Sequence, residues 1–127
     1  MRVLLITLLI LPIFAFGQHD KDYQKFVPKG ITVKPLTDSA NFVSDSLRNM
    51  MIGYFKKNNI DVNRCFIDKF VREDDNRIVI IIRDIEDMKS EKVFEKKHKY
   101  PPADYQSIGG TFEFDKKTKK LTYGFDQ

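Results

Sequence analysis

The chain has 127 residues, of which 42% are hydrophobic and 13% aromatic, and this composition supports one folded domain with an ordinary core. Its formal net charge of +4 at pH 7 is too small to indicate nucleic-acid binding. Cys65 is the sole cysteine, so an internal disulfide is excluded, and its apolar neighbours predict that the thiol is buried as a small hydrophobic group.

The first residues have the order of a secretory signal peptide: Arg2, an apolar run over residues 3–16, and small residues up to a cleavage point after Gly17. The run is shorter than the roughly 20 residues that a membrane-spanning helix needs. We therefore predict a signal peptide at residues 1–17 and a single domain at 18–127. The domain is expected to be secreted or periplasmic, with no stable membrane anchor after cleavage.

An amphipathic helix is predicted before the middle of the chain. Apolar residues recur there at helical spacing, and Lys56 and Lys57 suit the negative end of the helix dipole. Asn58 or Asn59 can adopt the left-handed conformation that ends a helix. The N-cap candidates are Thr37, Asp38 and Ser39. The predicted inward face consists of Val43, Leu47, Met50, Met51, Tyr54 and Phe55.

Two strands, 64–72 and 77–84, are predicted to pair through a turn at residues 73–76, because acidic and amide side chains favour turns. Residues 78–82 are all apolar, which indicates a central strand covered on both faces. Upstream of the helix, the alternation at residues 31–35 fits a short edge strand that its proline would end.

The closing stretch predicts a β-hairpin with its turn at residues 115–120. Pairing Phe114 with Leu121 also pairs Phe112 with Tyr123, so both apolar rows fall on one face. The predicted fold is therefore α+β, with one long helix packed on a curved, four-stranded antiparallel sheet.

Residues 85–107 carry too little periodicity for a single assignment. They fit either a short helix or a strand face: the helix would use Ile85, Met88 and Val93, and the strand would use Phe94, His98 and Tyr100. We favour an irregular flap with one helical turn. This flap or a partner molecule is needed to cover the second face of the sheet, since one helix covers only one face.

Three aromatic residues of this segment, Phe94, Tyr100 and Tyr105, are the predicted partner-binding residues. They have no periodic reason to lie in the core, and the prolines at 101–102 stiffen the chain between the tyrosines. The alternative is that the three rings simply cover the second face of the sheet. The predicted partner is a protein, recognised without a metal or a cofactor, and the sequence leaves the oligomeric state open.

No residue cluster predicts catalysis, so a non-enzyme is favoured. Cys65 with His98 is the one possible thiol nucleophile pair, and neither has the context of a known motif. The acidic pair at 74–75 lacks the ligand series of a calcium loop. We interpret the carboxylates within 84–87 as a solvated strand end, and the four lysines within 116–120 as groups that keep the hairpin soluble.

Motifs near the two ends of the domain carry a family resemblance. They consist of Val27, Pro28 and Gly30 at the entry, and Gly109, Gly110, Asp115, Lys116, Lys117, Thr118, Lys119 and Lys120 at the end. The chain resembles the small NTF2-fold immunity proteins and similar exported cystatin-like domains of bacteria, with Lys119 in place of a turn glycine. The resemblance implies a helix on a curved antiparallel sheet and a protein partner such as a toxin, and it transfers no catalytic residues.

These observations predict an exported, non-enzymatic binding module, immunity-like or inhibitor-like, that recognises a protein partner. The alternative function is a periplasmic domain that binds a small molecule in a pocket under the curved sheet.

Overall fold

A computed structural model of the chain describes residues 19–126, and the predicted signal peptide lies outside them. The described residues form strands β1 Val33–Pro35, β2 Cys65–Glu73, β3 Arg77–Asp84, β4 Gly110–Asp115 and β5 Lys120–Phe125, and helices α1 Asp45–Lys57 and α2 Ile85–Lys97. The predicted α+β class with an antiparallel sheet is confirmed. The prediction of one long helix and four strands is not matched exactly. The favoured irregular flap is wrong, because a second helix forms in its place, and the short edge strand that residues 31–35 fitted is present as β1 and ends at its proline.

Each strand pairs with its neighbour along the chain, so the sheet order is β1-β2-β3-β4-β5 and all pairs are antiparallel. β3 has the predicted bounds and the predicted central place. In the closing hairpin, Phe114 lies opposite Leu121 and Phe112 lies opposite Tyr123, as predicted. The period-2 alternation therefore fixed both the face and the register of this hairpin.

α1 covers one face of the sheet, which we call the helix face. Leu47, Met51 and Phe55 are buried there, and the Phe55 and Phe112 rings meet edge to face with centroids 5.2 Å apart. Met50, predicted to point inward, is exposed instead. Positions 47, 51 and 55 lie four residues apart, so the buried stripe is narrower than the predicted one.

The helix begins later than predicted. Its N-cap is Ser44, whose Oγ accepts a hydrogen bond from the Leu47 amide at 3.2 Å, so the three candidates within 37–39 are wrong. Before it, the chain makes a short 3-10 turn at Leu36–Asp38, in which Leu36 is already buried in the core. Asn59 adopts a left-handed φ of 58° just after the helix, as its residue type predicts.

The second face of the sheet is covered at one end. Met88 of α2 packs there with Val33 and Phe66, and the Tyr23 ring of the lead-in lies 5.0 Å from the Phe66 ring. Farther along this face Ile81 is only half-buried. The segment 85–107 thus covers part of this face, but through Met88 and the partly buried Ile85 of α2.

An irregularity in β2 shifts its pairing with β3 between Ile67 and Val71. Asp68 stabilises this bulge, because its Oδ1 accepts a hydrogen bond from the Phe70 amide at 2.8 Å and its Oδ2 pairs with Arg83 at 2.9 Å. Phe70 is turned outward and strongly exposed. The bulge therefore redirects the lower half of β2 relative to β3.

The side chain of Asp115 holds the lysine-rich turn. Asp115 Oδ1 accepts hydrogen bonds from the Lys117 and Thr118 amides at 2.9 and 3.1 Å, and Lys119 takes a left-handed φ of 61° where a glycine is usual. Lys116 Nζ lies 2.7 Å from a carboxylate oxygen of Glu73 across the sheet. A role of the lysines in solubility remains a prediction.

The turn between β2 and β3 contains a carboxylate, that of Asp74, whose hydrogen bonds should make the stability of the fold depend on pH. Asp74 Oδ1 accepts hydrogen bonds from the Asn76 and Arg77 amides at 2.8 and 2.9 Å, and these bonds lower the pKa of Asp74. A carboxylate with a lowered folded-state pKa stabilises the fold above its unfolded pKa, and this contribution is lost as the pH falls through the folded value. We expect Asp74→Ala to lower the melting temperature at neutral pH, and we expect this difference from the parent protein to shrink as the pH falls through the lowered pKa of Asp74.

Asp75→Ala is the matched control, since Asp75 is the next residue of the same turn and is also exposed. Thermal melts of both variants and the parent, recorded from acid to neutral pH, make the comparison. Equal melting temperatures for the two variants at neutral pH would contradict the prediction.

Candidate functional site

The candidate site is built on α2, and polar contacts define both ends of this helix. Asp84 is the N-cap, because its Oδ1 accepts a hydrogen bond from the Glu86 amide at 2.9 Å. At the other end His98 takes a left-handed φ of 54°, and its amide donates to the Phe94 carbonyl at 2.7 Å. This turn reverses the chain, so that the residues after the helix return along it, where Tyr100 contacts Glu91 and Tyr105 contacts Asp87.

Two of the predicted partner-binding residues come together as an exposed aromatic pair. The Phe94 and Tyr100 rings are stacked with centroids 4.5 Å apart and planes 20° apart, and their exposed fractions are 36% and 53%. The Tyr100 hydroxyl donates to Glu91 Oε1 at 2.9 Å, and the His98 ring lies edge-on to Phe94 at 6.3 Å. The pair is therefore held by its own stacking and by the hydrogen bond of Tyr100 to Glu91.

Tyr105 lies apart from this pair and is half-buried. Its hydroxyl donates to Asp87 Oδ1 at 2.7 Å and lies 3.3 Å from Ser90 Oγ. Burial, followed by the hydrogen bond to Asp87, raises the pKa of Tyr105 to about 12, so the phenol stays protonated at physiological pH. Tyr105 thus ties the segment after α2 to the first turns of the helix.

Asp84 is the centre of a buried polar network, and its interpretation as part of a solvated strand end is wrong. Its side chain is 0% exposed, and Oδ2 accepts hydrogen bonds from Arg64 Nη2 at 2.5 Å and from the Ile108 amide at 3.0 Å. Arg64 also donates to the Gln106 carbonyl at 3.0 Å, and the hydrogen bond to Asp84 raises the pKa of Arg64. The network joins the start of β2, the end of β3 and the segment before β4.

A cleft of about 410 Å³ lies between α2 and the segment that follows it. Its acidic lining residues are Asp84, Asp87, Glu91 and Asp126. Tyr100 and Pro101 lie at the cleft, so the aromatic pair stands beside it. Arg83 also lines the cleft, but it is paired with Asp68. The lining thus combines carboxylates and hydroxyl groups with apolar residues, among them Ile31, Ile82 and Met88.

The possible thiol nucleophile is in the wrong environment for catalysis. Cys65 is buried in the core under α1, and burial raises the pKa of its thiol to about 12, whereas a nucleophilic cysteine needs a lowered pKa. His98 is exposed at the end of α2. Within residues 19–126, no group of three or more histidine, cysteine or acidic side chains has the arrangement of a metal site.

Sequence reasoning missed Arg64, Asp84, Ser90 and Glu91 as parts of the site. Arg64 is the first residue of one predicted strand and Asp84 is the last residue of the other, so the predicted pairing was a signal that their charges could meet. The positions of Ser90 and Glu91 in the site depend on α2, which was not predicted as a full helix.

The fold and the site define an α+β domain with an open antiparallel sheet and a stacked, exposed aromatic pair beside a cleft with acidic lining residues. Comparison of the chain with models of protein families, with curated proteins and with solved structures gives no match. The resemblance to immunity proteins and cystatin-like domains therefore remains a prediction. Neither α1 nor α2 has the length and apolar character that crossing a membrane requires, and no other helix within residues 19–126 does.

Proposed function

We propose that this protein is an exported, non-enzymatic binding module that recognises a protein partner with the aromatic pair Phe94 and Tyr100 and with the acidic cleft beside it. The observation that carries the proposal is the stacking of these two exposed rings at the cleft, with Tyr100 held by Glu91. Export rests on the signal-like order of residues 1–17, and an immunity-like or inhibitor-like role rests on the resemblance alone.

The aromatic pair has the properties of a binding hot spot. Tyrosine and other large aromatic residues contribute much of the energy in protein interfaces, and rings that are already fixed lose little entropy on binding. Phe94 and Tyr100 belong to neither of the buried clusters, so their packing on each other leaves a face of each ring available.

The cleft favours a basic side chain as the part of the partner that enters it. Glu91 and Asp126 are exposed carboxylates of its lining, and Glu91 is also the acceptor that fixes Tyr100. This local negative charge contrasts with the net charge of +4 of the whole chain. A lysine or arginine of the partner would place its charge against the carboxylates and its aliphatic stem against the rings.

A second candidate function is the binding of a small molecule in the same cleft. Its volume of about 410 Å³ lies within the range of ligand pockets, and its hydroxyl and carboxylate groups would suit a polar, cationic ligand. The first candidate is preferred because the exposed aromatic pair stands at the rim and extends the surface beyond the cleft.

The test uses the purified protein as bait in native extract of the source cells, followed by affinity measurements with the captured partner. We expect Phe94→Ala and Tyr100→Ala each to raise Kd about 30-fold, as hot-spot truncations do. Phe70→Ala is the matched control, because Phe70 is an exposed phenylalanine on the bulge of β2. Unfolding curves should show little change for Phe94→Ala and Tyr100→Ala.

Three outcomes would contradict the proposal. If Tyr100→Ala cost several kcal/mol of stability, the ring would be a core residue. If binding survived both aromatic changes and was lost on neutralising Lys116, Lys117, Lys119 and Lys120, the hairpin would be the binding surface. Native mass spectrometry that found a bound small molecule and no protein partner would support the second candidate.

A further inference from the structure

β5 is the last strand of the sheet, and among residues 19–126 no further strand pairs with it. The Asp126 amide donates to the Gly109 carbonyl at 2.9 Å, so Gly109 and Asp126 form a hydrogen-bonded pair of the β4-β5 ladder. Hydrogen-bonded and non-hydrogen-bonded pairs alternate along an antiparallel ladder. Leu121, Tyr123 and Phe125 therefore direct their amide and carbonyl groups outward, away from β4.

This edge has a single one of the usual protections of an edge strand, the charged side chain of Lys120. It contains no proline and no bulge, its register with β4 is continuous over six residue pairs, and Lys120 is its one charged residue. Phe125, on the helix face, has half of its surface exposed. Outward backbone groups beside an exposed aromatic ring favour the addition of another strand.

We propose that a second copy of this chain pairs with β5, antiparallel and about a two-fold axis at Tyr123. In this register Leu121 lies opposite Phe125 of the second copy, and the two outward rows of backbone groups meet in about six hydrogen bonds. The exposed Phe125 ring of each copy is then covered by an aliphatic residue of the other. The contact is isologous, so it closes as a dimer and does not propagate.

Charge complementarity favours this occupant and this register. With the axis at Tyr123, Lys120 of each copy lies directly opposite Asp126 of the other, so that the dimer contains two cross-strand pairs of opposite charge. If the axis were moved to Leu121, Lys120 would lie opposite Thr122 of the second copy. Phe125 would then lie opposite Lys117, in the turn of the second copy, and would no longer face its β5 strand. The register centred on Tyr123 uses all of β5 and neutralises both charges.

The test is sedimentation equilibrium of the purified protein over a range of concentrations, with charge reversals at the two positions. Lys120→Glu and Asp126→Lys each replace attraction by repulsion in both symmetric pairs, and we expect each to raise the dimer dissociation constant about tenfold. The double variant, Lys120→Glu with Asp126→Lys, restores opposite charges and should recover the original constant.

Lys117→Glu is the control, because it makes the same charge change at the exposed tip of the adjacent turn. It should leave the dissociation constant unchanged. A protein that stays monomeric at all concentrations would overturn the proposal. So would a dimer that is insensitive to both single reversals, or one that the double variant fails to restore, since each result places the contact elsewhere.

Discussion

Asp84→Ala is expected to lower the free energy of unfolding by about 3 kcal/mol. The substitution removes the buried partner of Arg64 and leaves the Ile108 amide and the first turn of α2 without their acceptor. The Arg64 side chain is 29% exposed, so it can recover some hydration, and the loss therefore falls at the lower end of the range for broken buried pairs. Urea denaturation at neutral pH measures this difference.

Asp45→Ala is the matched control, because Asp45 also pairs with an arginine, Arg48, at 3.0 Å, but at the exposed start of α1. An exposed pair of this kind contributes at most about 1 kcal/mol. Asp84→Asn keeps the shape of the side chain and removes its charge, so its loss should fall between those of the two alanine variants. Equal losses for Asp84→Ala and Asp45→Ala would show that the buried network is not a principal source of stability.

Gly110→Ala is expected to cost about 3 kcal/mol, the upper part of the range for overpacking. A methyl group on Gly110 would overlap the Gly124 carbonyl of β5 and would lie 2.9 Å from the Tyr123 ring. The carbonyl belongs to the backbone of a paired strand and cannot move without disturbing the ladder. The Tyr123 ring is fixed as well, because its hydroxyl donates to the Ile108 carbonyl at 2.6 Å.

The comparison for this variant is Gly124→Ala, on the facing strand, where an added methyl group meets no atom within 4 Å. Gly124 is exposed, and we expect its substitution to change stability by less than about 0.5 kcal/mol. Both variants are measured by chemical denaturation. Similar losses for the two would mean that β4 and β5 separate more easily than the close approach at Gly110 implies.

The sequence predicted the structure best where the spacing of apolar residues determines which side chains face the core. The closing hairpin alternates strictly, so a wrong register would expose Phe112 and Phe114, and the predicted pairing is the one found. The inward residues of α1 at 47, 51 and 55 were likewise predicted from spacing. The start of α1 was not, because Leu36 and Val43 are buried from turns that extend the apolar pattern beyond the helix.

A short helix at the position of α2 was one of two alternatives, but it was not favoured because few of its residues face the core. Ile85 and Met88 are its contacts with the second face of the sheet, and most of its remaining residues are charged. Because α2 contacts the sheet only near its start, its sequence has no apolar pattern that runs the whole length of the helix. Its signals were the Asp84 N-cap and the basic residues of its last turn, which also occur in ordinary loops.

The candidate site depended on two features that local patterns do not encode. Without the bulge in β2, the register at the turn would place Asp84 opposite Ile67, and the bulge moves it opposite Cys65, next to Arg64. The stacking of Phe94 and Tyr100 depends on the left-handed conformation of His98. The sequence could suggest which aromatic residues were available, but their arrangement follows from the backbone.

The meander order of the sheet has a consequence for the rate of folding. The β2-β3 and β4-β5 hairpins close short turns, and isolated hairpins form within about 1–10 μs. The β3-β4 pairing must instead close residues 85–109, which costs more chain entropy. The principal kinetic barrier is therefore expected at the docking of the two preformed hairpins. In the folded protein the Ile108 amide donates a hydrogen bond to Asp84, which joins the two ends of the connection between β3 and β4.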